Sequence, residues 1–283
     1  MITAGVDCGA KTVKVVVMKG REVLGRGLAL AGVDTKGAAE LAYEEALRLA
    51  GVSREEVARV VATGSGKQQA GPRHGTVTEV SADARGALFL CPGARTVVDV
   101  GAEEGRAIRV DAKGRVLDFA VNDKCAAGTG AFVEAMARAL EVELDEMGPL
   151  SLRSSQAVPM NAQCAVFAES ELVSLVHART PKEDMARAIH DAIADRIVSI
   201  VRRVGMEPEV LLVGGLAKNV GFVQALSRGL GVEVKVPAGP EFVGAIGAAI
   251  IAGDRAEGRV QGENSSPVDL QEDPEVPYNR RCR

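Results

Sequence analysis

The first apolar segment of the chain leads into a glycine turn, and together they read Gly5-Val6-Asp7-Cys8-Gly9-Ala10-Lys11-Thr12. Apolar residues on both sides of the turn predict two strands, Ile2–Asp7 and Val13–Met18. A Walker A loop has other glycine spacing and is followed by a helix, so this turn is not one. It can still bind phosphate, because its glycine admits backbone N–H groups and its lysine and threonine supply charge and a hydroxyl. A plain hairpin turn accounts for the same residues.

A second turn of the same construction, Asp99-Val100-Gly101-Ala102, follows another apolar strand. The first unit reads as strands Ile2–Asp7, Val13–Met18 and Val23–Leu30, helix Ala38–Ala50 and strand Val57–Thr63. The second reads as strands Val97–Val100, Arg106–Asp111 and Val116–Val121 and helix Gly130–Leu140. Two similar units that each end their first strand in an aspartate predict an internal repeat with a cleft between its halves.

The rest of the chain predicts four further helices: Val166–Val176, Glu183–Val204, Phe222–Leu230 and Phe242–Ala252. A short strand, Val210–Val213, precedes Gly214-Gly215. Paired glycines let a flat purine ring contact the backbone, although a tight turn between strand and helix explains them too. We therefore expect one domain over residues 1–94, a second over 95–240, and a flexible polar tail over 254–283.

The composition is that of an ordinary globular protein. The chain has 283 residues, of which 47% are hydrophobic and 25% charged, which is enough for two domains. A formal charge of −4 argues against a nucleic-acid partner. We find no signal-peptide pattern and no apolar run of about 20 residues, so we expect a cytoplasmic protein without a membrane partner. Five scattered cysteines then indicate reduced thiols or metal ligands.

Cys125 and Cys164 stand close to the starts of two predicted helices. A helix N-terminus stabilises anions, so both thiols lie where a thiolate or an anionic iron–sulfur cluster is favoured. A [4Fe–4S] cluster takes four thiolates, and one chain offers two in such a setting. Two chains would complete the set. Two buried structural cysteines are the alternative.

Two phosphate turns followed by a Gly-Gly motif resemble the actin, Hsp70 and sugar-kinase superfamily. Within it, the segments 122–130 and 164–171 resemble the ATPase family that contains the activators of 2-hydroxyacyl-CoA dehydratases and the ATPase subunits of benzoyl-CoA reductases. The resemblance covers about residues 1–253. It implies an α/β fold of two duplicated actin-like (ribonuclease H-like) domains around a nucleotide cleft, with the last helix, about 242–252, packed against the first domain.

The resemblance also implies roles for individual residues. Asp7 and Asp99 would serve Mg²⁺ and the attacking water, and Cys125 and Cys164 would hold a [4Fe–4S] cluster shared across a dimer interface. The expected ATP-binding residues are Gly9, Ala10, Lys11, Thr12, Gly101, Ala102, Gly128, Thr129, Gly214 and Gly215.

The second turn continues as Gly101-Ala102-Glu103-Glu104, where the dehydratase activators have Gly-Gly-Gln-Asp. This departure favours an ATP-hydrolysing electron-transfer subunit of a benzoyl-CoA reductase. Such a chain would pair with a paralogous ATPase subunit, receive electrons from ferredoxin and act on catalytic CoA-ester reductase subunits. The alternatives are a homodimeric activator of a 2-hydroxyacyl-CoA dehydratase and a small-molecule kinase without a cluster.

Overall fold

A computed structural model describes residues 1–71, 73–122, 129–160 and 165–259. It contains two β-sheets with helices on both faces of each, which confirms the expected α/β class. The first sheet has the order β3-β2-β1-β4, and its strands are β1 (Ile2–Cys8), β2 (Thr12–Lys19), β3 (Glu22–Leu30) and β4 (Val57–Thr63). Strand β2 runs antiparallel to both of its neighbours, β1 and β3, whereas β4 lies parallel to β1.

The second sheet repeats this arrangement and adds one strand. Its order is β7-β6-β5-β8-β9, and its strands are β5 (Thr96–Val100), β6 (Gly105–Val110), β7 (Val116–Asn122), β8 (Val210–Val213) and β9 (Val234–Lys235). Here β5, β6 and β7 are antiparallel neighbours, and β8 lies parallel to β5. Strand β5 thus occupies the place that β1 has in the first sheet, so Asp7 and Asp99 come to equivalent positions.

Eight helices are found in the described parts of the chain. They are α1 (Thr35–Ala50), α2 (Glu79–Leu90), α3 (Gly130–Leu140), α4 (Leu144–Leu152), α5 (Ala165–His177), α6 (Lys182–Val204), α7 (Val220–Leu230) and α8 (Val243–Ala256). Helix α1 covers one face of the first sheet and α8 covers the other. Helix α2 lies between α8 and the second sheet, whose far face packs against α6 and its neighbours. None of these helices has the length and apolar character needed to cross a membrane.

Small residues let α8 approach both the first sheet and α2. A Cβ on Gly5 of β1 would lie 2.0 Å from the carbonyl oxygen of Ala245 in α8. A Cβ on Gly247 would lie 1.8 Å from the carbonyl oxygen of Ala82 in α2. Because real side chains do not tolerate such distances, glycine is required at both contacts. The close seam between α8 and α2 brings the next residue of α2, Asp83, to the space between the two sheets.

Several predicted boundaries differ from the observed ones for local reasons. Helix α1 begins at Thr35, because Asp34 caps it by accepting a hydrogen bond from the backbone N–H of Gly37 at 2.8 Å. Helix α8 extends to Ala256, past the expected start of the tail at residue 254, because Asp254 pairs with Arg85 of α2. Beyond residue 259 the tail lies outside the described residues.

Candidate functional site

A cleft of about 570 Å³ opens at the edges of both sheets where the two glycine turns face each other. This volume is in the range of small-molecule binding sites. Ten of the predicted residues line it: Asp7, Gly9, Ala10, Lys11, Thr12, Asp99, Gly101, Ala102, Gly214 and Gly215. Thr129 is buried at the N-terminus of α3 and does not line the cleft. Gly128, Cys125 and Cys164 lie outside the described residues.

Each aspartate at a strand end forms an ion pair with a cation on the adjacent antiparallel strand. Asp7 stands opposite Lys14 in the β1–β2 ladder, and the Lys14 Nζ donates to its Oδ2 at 3.0 Å. Asp99 stands opposite Arg106 in the β5–β6 ladder, and the Arg106 Nη1 donates to its Oδ2 at 2.6 Å. Both cations lie seven positions after their aspartate. The sequence analysis missed these two residues, although the shared spacing was a signal for them.

The two ion pairs are buried close together, and this burial affects the pKa values of Lys14, Arg106 and Asp99. Burial alone would lower the pKa of Lys14, but the neighbouring Asp7 carboxylate outweighs it, and the pKa is raised. Burial likewise disfavours the charged form of Arg106, and Asp99 with the surrounding carboxylates still raises its pKa. Burial raises the pKa of Asp99, against the opposing effect of Arg106. Both cations therefore stay charged and offset the acidic groups of the cleft.

Asp83 of α2 is a third cleft carboxylate that the sequence analysis missed. It is 5% exposed, and its Oδ2 has no hydrogen-bond partner among the described residues. Burial and the nearby Asp99 raise its pKa well above the usual range for aspartate. A Cβ on Gly244 would meet Asp83 Oδ1 at 3.2 Å and Asp7 Oδ2 at 3.5 Å. The absent side chain thus leaves open space between two carboxylates.

The glycine after β8 brings the predicted adenosine motif against Asp99. Gly214 has φ of +87°, and a Cβ there would lie 2.4 Å from Asp99 Oδ1 and 2.5 Å from the carbonyl oxygen of Val100. Only glycine meets both demands. Gly215 has nothing within 4 Å of its Cβ position, so a flat face of backbone remains open to the cleft. Four residues of α4, which the sequence did not predict as a helix, also line the cleft: Leu144, Asp145, Gly148 and Pro149.

The carboxylates suit a magnesium ion only if other ligands complete its shell. Asp7, Asp83 and Asp99 all line the cleft, and oxygen is the ligand atom that Mg²⁺ prefers. In the part of the chain that the structure describes, however, no three His, Cys, Asp or Glu side chains are close enough to form a metal site by themselves. Mg²⁺ commonly keeps several waters and binds through one or two carboxylates plus phosphates, so the residues fit an ion that arrives with a nucleotide.

The second turn is joined directly to the start of α3. The backbone N–H groups of Gly130 and Ala131 donate to the carbonyl oxygens of Gly101 and Ala102, each at 2.9 Å. One turn further along α3, Glu134 forms an ion pair with Lys11 of the first turn. Helix α3 is therefore held by both turns of the cleft.

The two cysteines that the structure describes do not resemble cluster ligands. Cys8 is buried in β1, and burial with the adjacent Asp7 raises its pKa to about 12. Burial and a contact with Glu209 raise the pKa of Cys91 as well. Because the thiolate is the form that binds metal, both side chains are poor ligands.

Known proteins match this chain over most of its length. The model of the BadF/BadG/BcrA/BcrD ATPase family matches residues 4–252. The 2-hydroxyisocaproyl-CoA dehydratase activator of Clostridioides difficile is 37% identical over 258 residues, which is 91% of this chain and 97% of the relative. One of the benzoyl-CoA reductase subunits of Thauera aromatica is 34% identical over 268 residues, which is 90% of this chain and 94% of the relative.

Two solved structures agree with these matches. Component A of the (R)-2-hydroxyglutaryl-CoA dehydratase from Acidaminococcus fermentans superposes with a TM-score of 0.87 at 37% identity, over 91% of this chain and 99% of that chain. The activator of the 2-hydroxyisocaproyl-CoA dehydratase from Clostridium difficile, solved with bound ADPNP, gives 0.85 at 36% identity over 93% and 99%. The actin-like fold expected from the sequence is confirmed, and the chain belongs to the BadF/BadG/BcrA/BcrD ATPase family.

Proposed function

We propose that this chain hydrolyses ATP to drive one-electron transfer and activates a 2-hydroxyacyl-CoA dehydratase. The observation that carries the proposal is the pair of equivalent turns, each with an aspartate bound to its own cation, that face each other across one cleft. The family match and the ADPNP-bound relative support ATP as the ligand. The relatives named as activators have 37% identity over nearly their full length, which favours this role over that of a reductase component.

In this proposal the two turns hold the phosphates. The backbone N–H groups around Gly9 and Gly101 lie at the cleft, beside the Lys11 ammonium and the Thr12 hydroxyl. The open backbone at Gly215 receives the adenosine. Asp7 and Asp99 would hold Mg²⁺, which when bound offsets the charge of the phosphates.

Asp83 is our candidate for activating the attacking water. Hydrolysis joins a water oxygen to the γ-phosphorus, breaks the bond from that phosphorus to the bridging oxygen, and releases a proton from the water. A carboxylate that is kept from solvent and has an oxygen without a partner can orient that water and accept its proton. Asp99, which the sequence suggested for this task, is already engaged by Arg106.

We assign the cluster ligands to Cys125 and Cys164, two from each of two chains. A [4Fe–4S] cluster there would supply the transferred electron. Three observations support the assignment. Helix α5 begins at Ala165 directly after Cys164, and α3 begins five residues after Cys125. The two cysteines that the structure describes, Cys8 and Cys91, have raised pKa values and are poor thiolates. The hydrogen bonds from α3 to the second turn offer a route from the nucleotide to the segment that contains Cys125.

An ATPase component of a benzoyl-CoA reductase is the second candidate. It is favoured by the match to the reductase protein of Thauera aromatica and by the Glu103-Glu104 departure from the activator pattern. In that case the partners would be a paralogous ATPase subunit and catalytic CoA-ester reductase subunits. A ferredoxin donor and a cytoplasmic location are predictions under both proposals.

Iron and sulfide analysis of anaerobically purified protein, with phosphate release measured on the same samples, tests the proposed function. We expect Cys125→Ser and Cys164→Ser each to lose the iron while retaining the far-ultraviolet circular dichroism of the wild type. Cys91→Ser is the matched control and should keep the wild-type iron content. Wild-type protein that hydrolyses no ATP, or full iron content in either cluster variant, would refute the assignment.

A further inference from the structure

The ion pair between Lys11 and Glu134 spans the cleft from the first turn to helix α3. We propose that Glu134 competes with the nucleotide phosphates for Lys11 and thereby sets the affinity of the cleft for nucleotide. Binding would then transfer Lys11 from helix α3 to the nucleotide. This inference rests on the proposed function, because it requires ATP in this cleft.

The backbone on the Lys11 side is fixed, so that only the side chain is free to change partner. The carbonyl oxygen of Lys11 accepts a hydrogen bond from the backbone N–H of Ala31 at 2.9 Å. The turn itself is closed by a hydrogen bond of 3.1 Å from the Gly9 N–H to the Thr12 carbonyl oxygen. The Lys11 side chain is 50% exposed, whereas the Lys14 ammonium is held in the buried pair with Asp7. Lys11 is therefore the cation of this turn that can move.

The backbone on the Glu134 side is fixed as well. Gly130 and Ala131 are hydrogen-bonded to the second turn, and Glu134 follows Gly130 by four residues on the same face of α3. Its side chain lines the cleft and is 25% exposed. Because both backbones are anchored, the contact between the first turn and α3 depends on which partner the Lys11 side chain takes.

A nucleotide in the cleft changes this balance. A polyphosphate carries more negative charge than one carboxylate and attracts the ammonium more strongly. Once Lys11 turns to the phosphates, Glu134 has lost its cation and faces a like charge. In the wild type, nucleotide binding must therefore break the Lys11–Glu134 pair, which weakens the affinity of the cleft for nucleotide.

Titration of the full-length chain with Mg²⁺ and ADPNP, by isothermal calorimetry, tests the competition. We expect Glu134→Gln to lower the Kd about two- to fivefold, the scale of a partly exposed ion pair. The gain should shrink at high ionic strength, since salt screens exposed charges. Glu141→Gln is the matched control: this acid follows the last residue of α3, has no ion pair with Lys11, and should leave the Kd unchanged.

The double variant separates competition from simple repulsion. In a Lys11→Met background, Glu134→Gln should improve the Kd by a smaller factor than it does with Lys11 present. An equal factor in both backgrounds, or a Kd for Glu134→Gln that is unchanged or higher, would overturn the inference and leave the proposed function standing. A wild-type chain that binds no ADPNP would overturn both.

Discussion

Asp7, Asp83 and Asp99 all line the cleft, but their surroundings give them different chemistry. Asp7 and Asp99 each accept a hydrogen bond from a cation on the adjacent strand, so one oxygen of each carboxylate already has a charged partner. Asp83 comes from a helix, faces no such partner with its Oδ2, and has a raised pKa because it is buried beside Asp99. A buried carboxylate with an open oxygen and a raised pKa is suited to accept a proton from a water, which is what activation of that water requires.

Asp83→Asn should therefore impair hydrolysis more than binding. We expect phosphate release to fall about 100-fold or more, the usual contribution of a general base, while the Kd for ADPNP changes less than about threefold. Steady-state phosphate assays and calorimetry measure the two quantities. Glu79→Gln, one turn earlier on α2, removes a carboxylate that pairs with Lys67 at 3.4 Å and with Arg106 at 3.9 Å, and it should cost less than about tenfold. An unchanged turnover in Asp83→Asn would remove Asp83 from the reaction.

The same variant has a defined effect on stability. Because the folded state raises the pKa of Asp83, it binds the proton more tightly than the unfolded chain, and stability falls as the pH rises above about 4. Asparagine cannot ionise, so Asp83→Asn should unfold at the same temperature as the wild type or higher at pH 7. A lower midpoint would show that the ionised carboxylate stabilises the fold.

Among the elements, the seam between α8 and α2 is a contact that admits little change. Gly247 contacts the backbone of α2 at Ala82, next to Asp83, and Gly86 of α2 contacts the backbone of Val243 in α8. Neither helix could keep this distance with larger residues at these places. The seam thus links the packing between the two sheets to the position of a cleft carboxylate.

Gly247→Ala should lower the free energy of unfolding by about 1–3 kcal/mol, because its Cβ would overlap the Ala82 carbonyl oxygen. Gly253→Ala is the matched control on the same helix: its Cβ would meet nothing within 4 Å, and alanine should raise stability by about 0.5–1 kcal/mol through helix propensity. Urea unfolding followed by circular dichroism measures both. Equal effects of the two changes would contradict the close packing of this seam.

The sequence predicted the helices and strands whose apolar residues recur with a clear period, and it missed those whose apolar residues do not. Helix α3 and the strands β4 and β8 were found with their observed bounds. Helix α2 was missed because alanines and a glycine pack between two layers and leave no apolar stripe. Helix α4 contains Pro149, which argues against a helix in sequence reasoning. Asp83 was not predicted as a site residue because α2 was not predicted. An aspartate outside a recognised helix or strand gives no sign that it is buried.

The whole molecule contains two equivalent sheets whose facing turns are bridged by one helix, α3. Helix α5, which follows Cys164, presents Phe167, Val173 and Val176 largely exposed. Exposed apolar side chains beside a proposed cluster ligand are suited to an interface with a second chain. Because two cysteines per chain satisfy half of a four-thiolate cluster, assembly and iron content should change together.

Native mass spectrometry under anaerobic conditions should therefore find two copies of this chain with about four irons, as expected for one [4Fe–4S] cluster. Apo-protein prepared by chelation should release monomers, because the shared ligands are then lost. A chain that takes up iron only when co-expressed with a paralogue, as a one-to-one pair, would favour the reductase role over the activator role.

The pairing of each aspartate with a cation of its own sheet has a consequence for hinge motion. If the two halves were to move apart, Asp7 would stay with Lys14 and Asp99 with Arg106, so neither of these two pairs would have to break. Opening would thus move two ion pairs, each neutral overall, away from each other. The attraction between two such dipoles falls off quickly with distance. A pair that joins the two halves, such as Lys11 with Glu134, does resist opening, because its two opposite charges would have to be pulled apart. The cleft can therefore hold many charges while the ion pairs of Asp7 and Asp99 add little resistance to its opening.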